Sequence, residues 1–98
     1  LAQTFPNHQL GVELRLLQIR TQLALSNNDT ALKMMQDLLS NPPTKPRAQW
    51  YKLLGEILQV SNRCGPALIA YSKALKMGLG NRQEQEVRQA VRRCSRDQ

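Results

Sequence analysis

Apolar residues in this chain recur every three or four positions almost from end to end, and nowhere do they alternate with polar ones. A period near 3.6 marks helices with one buried face, and a period of two would mark strands. The chain is therefore predicted to be all-α. From Gln9 to Ser26, Leu10, Leu14 and Leu17 with Leu16, Ile19 and Leu23 form the stripe of a first helix. Ala31, Leu32, Met35, Leu38 and Leu39 mark a second, and Trp50, Tyr51, Leu54, Ile57 and Leu58 the buried face of a third. Ala67, Ala70, Tyr71, Ala74 and Leu75 mark a fourth, and Val87, Val91 and Cys94 a narrow stripe on a fifth, from about Asn81 to Ser95.

The breaks between these stripes carry their own chemistry. Ser26-Asn27-Asn28-Asp29 interrupts the first, and Asn28 or Asp29 is expected to cap the second by accepting from its free N–H groups. Asn41-Pro42-Pro43 stops the second helix, because proline cannot donate to the helical ladder. Thr44 is expected to cap the third, with Pro46 in its first turn; Ser61-Asn62 ends it, and Pro66 falls in the first turn of the fourth. Gly78-Leu79-Gly80 closes the fourth with a residue that accepts a left-handed cap.

A chain of 98 residues makes one small domain, and with 4% aromatic residues its core must be aliphatic. No apolar run approaches the roughly 20 residues a membrane-spanning helix needs. The chain opens on Leu1 without the charged, apolar and small-residue pattern of a leader, and reads as a piece of a longer or processed protein.

Pro6, Pro43 and Leu79 mark three comparable ends about 36 residues apart, and periods of that size indicate stacked helical repeats. The second pair of helices reads Tyr51-x-x-Leu54-Gly55-x-x-Leu58, then Ala67-x-x-x-Tyr71-x-x-Ala74. This resembles the tetratricopeptide repeat, strongly over 44–79 and more loosely over 7–43, where Arg20 stands at the glycine position and Leu38 at a small-residue position. The resemblance implies an α-solenoid of antiparallel helix pairs. Residues 1–6 would be the tail of a preceding repeat, 7–43 and 44–79 two repeats, and 81–96 a capping helix, all within a single domain 1–98. Tyr51, Leu54, Gly55, Leu58, Ala67, Tyr71 and Ala74 would be the repeat-packing residues.

Little in the sequence supports catalysis, a cofactor or a metal. The one histidine, His8, stands beside Pro6 and Asn7 in an expected inter-repeat turn, so no Ser-His-Asp set and no zinc site can be assembled around it. The two cysteines lack C-x-x-C spacing. Folding the last helix pair back at Leu79, however, sets Cys64 opposite Cys94, each 15 residues from the turn. A bridge there would add about 3–4 kcal/mol and imply a periplasmic or secreted setting; two reduced thiols packed as small hydrophobes would fit the cytoplasm.

The formal charge of +7 is uneven: residues 1–40 sum to zero, 41–80 to +5 and 81–98 to +2. Lys73, Lys76 and Arg82 gather at one end of the last pair, and Arg63, Arg92, Arg93 and Arg96 at the other. Two separate clusters with scarce stacking aromatics argue against one continuous nucleic-acid track, though a basic nucleic-acid-binding domain is an alternative. The leading expectation is a non-catalytic protein-interaction module. In tetratricopeptide arrays the first helix of each pair lines a concave groove that holds a peptide or partner helix. Carried onto this sequence, that implies Gln49, Lys52, Leu53, Glu56 and Gln59 on the third helix and Arg82, Gln85, Glu86, Gln89, Arg92 and Arg93 on the fifth. Gln18, Thr21 and Leu25 would join from the first. The asparagine-and-lysine carboxylate clamp of chaperone-binding members is not reproduced, and an acidic or polar partner segment is expected. A structural segment of a longer scaffold, able to self-associate through exposed repeat ends such as Leu1 and Phe5, is a further reading.

Overall fold

The structure, a computed structural model, describes residues 8–42 and 45–97, with the side chains of 11–42 and 45–96. The expected tail 1–6 and the proposed cap Thr44 lie outside these residues. Five helices and no strand account for the regular structure described: α1 His8–Ala24, α2 Asn28–Ser40, α3 Ala48–Val60, α4 Cys64–Met77 and α5 Asn81–Asp97. The chain divides into two compact units, Leu1–Pro46 and Arg47–Gln98, a cut just beyond the repeat boundary expected at residues 43 and 44.

In the first unit, α1 and α2 pack as a helical hairpin. His8 opens α1 and does not sit in a turn. α1 buries Val12 and Ile19, at i and i+7, with Leu16 and Leu23 half-buried on the same face. Leu14 and Leu17 point the other way and are 55% and 60% exposed. The single stripe expected for this helix is thus two: α1 carries more leucines than one face can hold, and packing against α2 takes only the set centred on Ile19. α2 buries Ala31, Leu32, Met35 and Leu38, as its periodicity predicts. Its N-cap is Asn27, one residue before the expected Asn28 or Asp29, and Asn27 makes no side-chain cap bond. Its amide donates to Gln22 Oε1 instead, at 2.8 Å.

The second unit packs α3 on α4 and α4 on α5. Pro46 stands before the N-cap Arg47, whose backbone is extended, so α3 begins later than expected and excludes the proline from its first turn. Trp50, Leu53, Ile57 and Leu58 are buried, while Tyr51 and Leu54 are only half-buried. Leu53, expected to face a groove, is 2% exposed. It lies at i+3 from Trp50 and i−4 from Ile57, on one helical face, and that face turned inward instead of the one holding Tyr51 and Leu54. Tyr51 keeps a different neighbour: Lys73 Nζ lies 4.8 Å from its ring centroid. α4 starts at Cys64 with Pro66 in its first turn and ends at Met77; its C-cap Gly78 has the positive φ expected of glycine, +101°, but with ψ at +114° it lies outside the left-handed helical conformation.

The two hairpins end their first helices in the same way. Ser26 and Asn62, 36 positions apart, both have positive φ, 65° and 62°. Asn27 N–H donates to Gln22 O and Ser26 N–H to Leu23 O; Arg63 N–H donates to Leu58 O and Asn62 N–H to Gln59 O. Both are the paired 6→1 and 5→2 bonds that satisfy a helix's last carbonyls. This register pairs Ala31 with Ala67, Met35 with Tyr71 and Leu38 with Ala74, and all six are fully buried. It sets Ile19, and not Arg20, at the position of Gly55. A Cβ at Gly55 would lie 2.5, 2.6 and 2.9 Å from three atoms of the Tyr71 ring. Where the second hairpin has a glycine beneath a tyrosine, the first has Ile19 and Met35, both fully buried, at the equivalent positions.

Cys64 and Cys94 are paired as a disulfide, with Cα atoms 5.3 Å apart. Among the described side chains of α5 only Val87 and Cys94 are fully buried, and Ala90 and Val91 are half-buried.

Candidate functional site

Within the second unit α3 and α5 flank an open cleft of about 390 Å³. Lys52, Glu56 and Gln59 line it from α3, Tyr71 from α4, and Glu86, Gln89 and Arg93 from α5, with Val87 and Ala90 as its apolar part. On α3 the three residues sit at i, i+4 and i+7; on α5 Glu86, Gln89, Ala90 and Arg93 sit at i, i+3, i+4 and i+7, so each helix presents one face to the cleft.

Lys52 Nζ donates to Glu56 Oε2 at 2.8 Å and lies 3.1 Å from Glu86 Oε1, joining the two helices through one ammonium. Burial works against its charge, but the hydrogen bonds and negative charges of Glu56 and Glu86 outweigh it and hold the amine above its ordinary value. Tyr71 O–H donates to Gln59 Oε1 at 2.8 Å, leaving the Gln59 amide hydrogens for the cleft. Burial, and then the charge of Glu56, push the Tyr71 phenol well above its ordinary value.

Both shifts have the same sign in their effect on stability. Each group is raised above an unfolded value of 10.5 for the lysine and 10.0 for the tyrosine, so the folded chain holds protons that the unfolded chain releases. Their contribution is complete below those values and is lost as pH rises through the folded ones. Urea midpoints are expected to fall above about pH 10, and Tyr71→Phe to soften the fall. A wild-type midpoint unchanged into that range would contradict the arrangement.

Six of the eleven residues expected on the groove faces of α3 and α5 meet here: Lys52, Glu56, Gln59, Glu86, Gln89 and Arg93. Gln49, Arg82, Gln85 and Arg92 are exposed but do not line the cleft, and Leu53 is in the core. Arg92 is turned away because it is one residue, about 100°, from Arg93 on the helix. Gln18, Thr21 and Leu25 belong to the first unit; all three are exposed, and the Thr21 hydroxyl is spent on the Leu17 carbonyl at 2.9 Å. Sequence reasoning treated Tyr71 as packing alone. The signal for its second role was the hydroxyl itself, since a buried tyrosine needs a partner that phenylalanine does not.

The cleft holds two basic and two acidic side chains, and Lys52 is paired within the molecule with Glu56 and Glu86. Among the described residues no group of histidines, cysteines and carboxylates could hold a metal, and no helix is long and apolar enough to cross a membrane. Compared with known proteins, the chain matches no family model, no curated protein and no solved structure.

Proposed function

We propose that this chain is a non-catalytic interaction module of tetratricopeptide-like helix pairs, with α5 as a capping helix, that binds a peptide segment of another protein in the cleft between α3 and α5. The repeat reading is supported by the matching turns at Ser26 and Asn62 and by the Gly55–Tyr71 contact. One observation carries the binding reading: Gln59, Gln89 and Arg93 bring hydrogen-bond donors to one open cleft whose apolar part is Val87 and Ala90. Amides of this kind satisfy the exposed backbone of an extended chain, and arginine pairs with carboxylates. The bridge between Cys64 and Cys94 fits an oxidising compartment, periplasmic or extracellular.

Selecting ligands from a displayed random-peptide library tests this reading. Against a selected peptide, Arg93→Glu is expected to weaken binding by about tenfold, as loss of a charged contact would. Arg92→Glu, on the outer face of α5, is expected to change it less than about twofold. A library that yields no ligand, or equal losses from both variants, would remove the cleft assignment.

A structural role within a longer helical scaffold is the second reading, favoured by the exposed Leu14, Leu17 and Leu25 on and beside α1, at 55%, 60% and 63%. Light scattering separates the two: a concentration-dependent dimer favours the scaffold, since an open packing face associates.

A further inference from the structure

Resting on the peptide-binding reading above, we infer that the cleft is polarised, taking an extended segment that carries a basic and an acidic side chain three residues apart. One end of the cleft is Lys52 held between Glu56 and Glu86, a group with one net negative charge. Lys52 engages Oε2 of Glu56 and Oε1 of Glu86, so each carboxylate keeps an oxygen that Lys52 does not occupy. The two side chains are 38% and 54% exposed, against 15% for Lys52. That end is built to receive a cation.

The other end is Arg93. It lies seven residues beyond Glu86 on the same face of α5, about 10 Å along the helix axis. Between the two ends the cleft carries no charge, only the amides of Gln59 and Gln89, the Tyr71 hydroxyl and the apolar Val87 and Ala90. A ligand is thus met by negative charge, then neutral donors and acceptors, then positive charge.

The spacing names the conformation. A polyproline-type extended chain has three residues per turn and about 3.1 Å rise, so residues i and i+3 share a face about 9 Å apart. That matches the distance from the Glu56–Glu86 end to Arg93. A helical ligand would meet the same spacing at i and i+7, but its backbone groups are already paired and would leave the two amides unused.

The test uses labelled decapeptides identical except at two positions three apart, read by fluorescence anisotropy against the intact, oxidised protein. The variable pair is lysine then glutamate, glutamate then lysine, two lysines, two glutamates or two glutamines. At least one mixed order is expected to bind about tenfold tighter than each of the three uniform peptides. Arg93→Glu is expected to move the preference to the two-lysine peptide, with circular dichroism confirming an unchanged helix content. Uniform peptides that bind the wild type as tightly as the mixed ones would overturn the polarity and leave the peptide reading standing. Tightest binding of the two-glutamate peptide would do the same. No binding by any of the five would overturn both.

Discussion

Tyr71→Ala is expected to destabilise the protein by about 3–5 kcal/mol, the cost of emptying a fully buried aromatic site. A chain of this length holds roughly 5–15 kcal/mol in all, so a large fraction of its stability should go with the ring. The companion expectation concerns its seat. Gly55→Ala introduces a Cβ within 2.9 Å of three atoms of the Tyr71 ring, closer than carbon atoms tolerate. The ring cannot retreat easily, because it is fully buried and its hydroxyl is bonded to Gln59. An overpacking cost of about 1–3 kcal/mol should follow. The first hairpin supplies the remedy, since there Ile19 and Met35 fill the equivalent positions. In a Tyr71→Met background, Gly55→Ala is expected to cost little or to stabilise. A double-mutant cycle from urea denaturation measures the coupling. Additive losses would mean that the two residues do not share one volume.

Reduction of the bridge between Cys64 and Cys94 is expected to remove about 4 kcal/mol, the loop-closure entropy of about 30 residues in the chain-entropy model. The loss should concentrate in α5, which buries only Val87 and Cys94 completely and carries Glu86, Gln89 and Arg93 of the cleft. Amide hydrogen exchange should therefore quicken across 81–97 before it does in α3 and α4. Peptide binding should disappear with reductant although every cleft residue is still present. Cys94→Ala should reproduce both effects, since alanine restores part of the packing but none of the tether. Two free thiols titrated in the unreduced, denatured protein would dispose of the bridge. Unchanged exchange in α5 after reduction would dispose of its role as a tether.

Much of this was legible in the order of residues. Five helices, their approximate ends, the glycine cap at Gly78 and the 36-residue spacing follow from local rules: apolar period, proline's missing N–H, and glycine's tolerance of positive φ. The Cys64–Cys94 pair was visible as one of two options, because a hairpin folded at Leu79 must bring those positions level. The cleft was half visible. Helical register set Lys52, Glu56 and Gln59 on one face and Glu86, Gln89 and Arg93 on another, but register alone could not separate Arg93 from Arg92.

Tertiary packing decided the rest. α1 and α3 each carry more large apolar residues than a single stripe accommodates, so periodicity permits several rotations about the helix axis. Which one is adopted depends on the neighbour. In α3 that choice buried Leu53 and left Tyr51 and Leu54 partly open; in α1 it buried Ile19 and left Leu14 and Leu17 in solvent. Likewise the ammonium shared by Glu56 and Glu86, and the phenol that orients Gln59, join residues 12 to 34 positions apart. A helical period describes neighbours within a few turns of one rod. Contacts between rods arise only once the chain has folded back, and those contacts supply the charge pattern of the cleft.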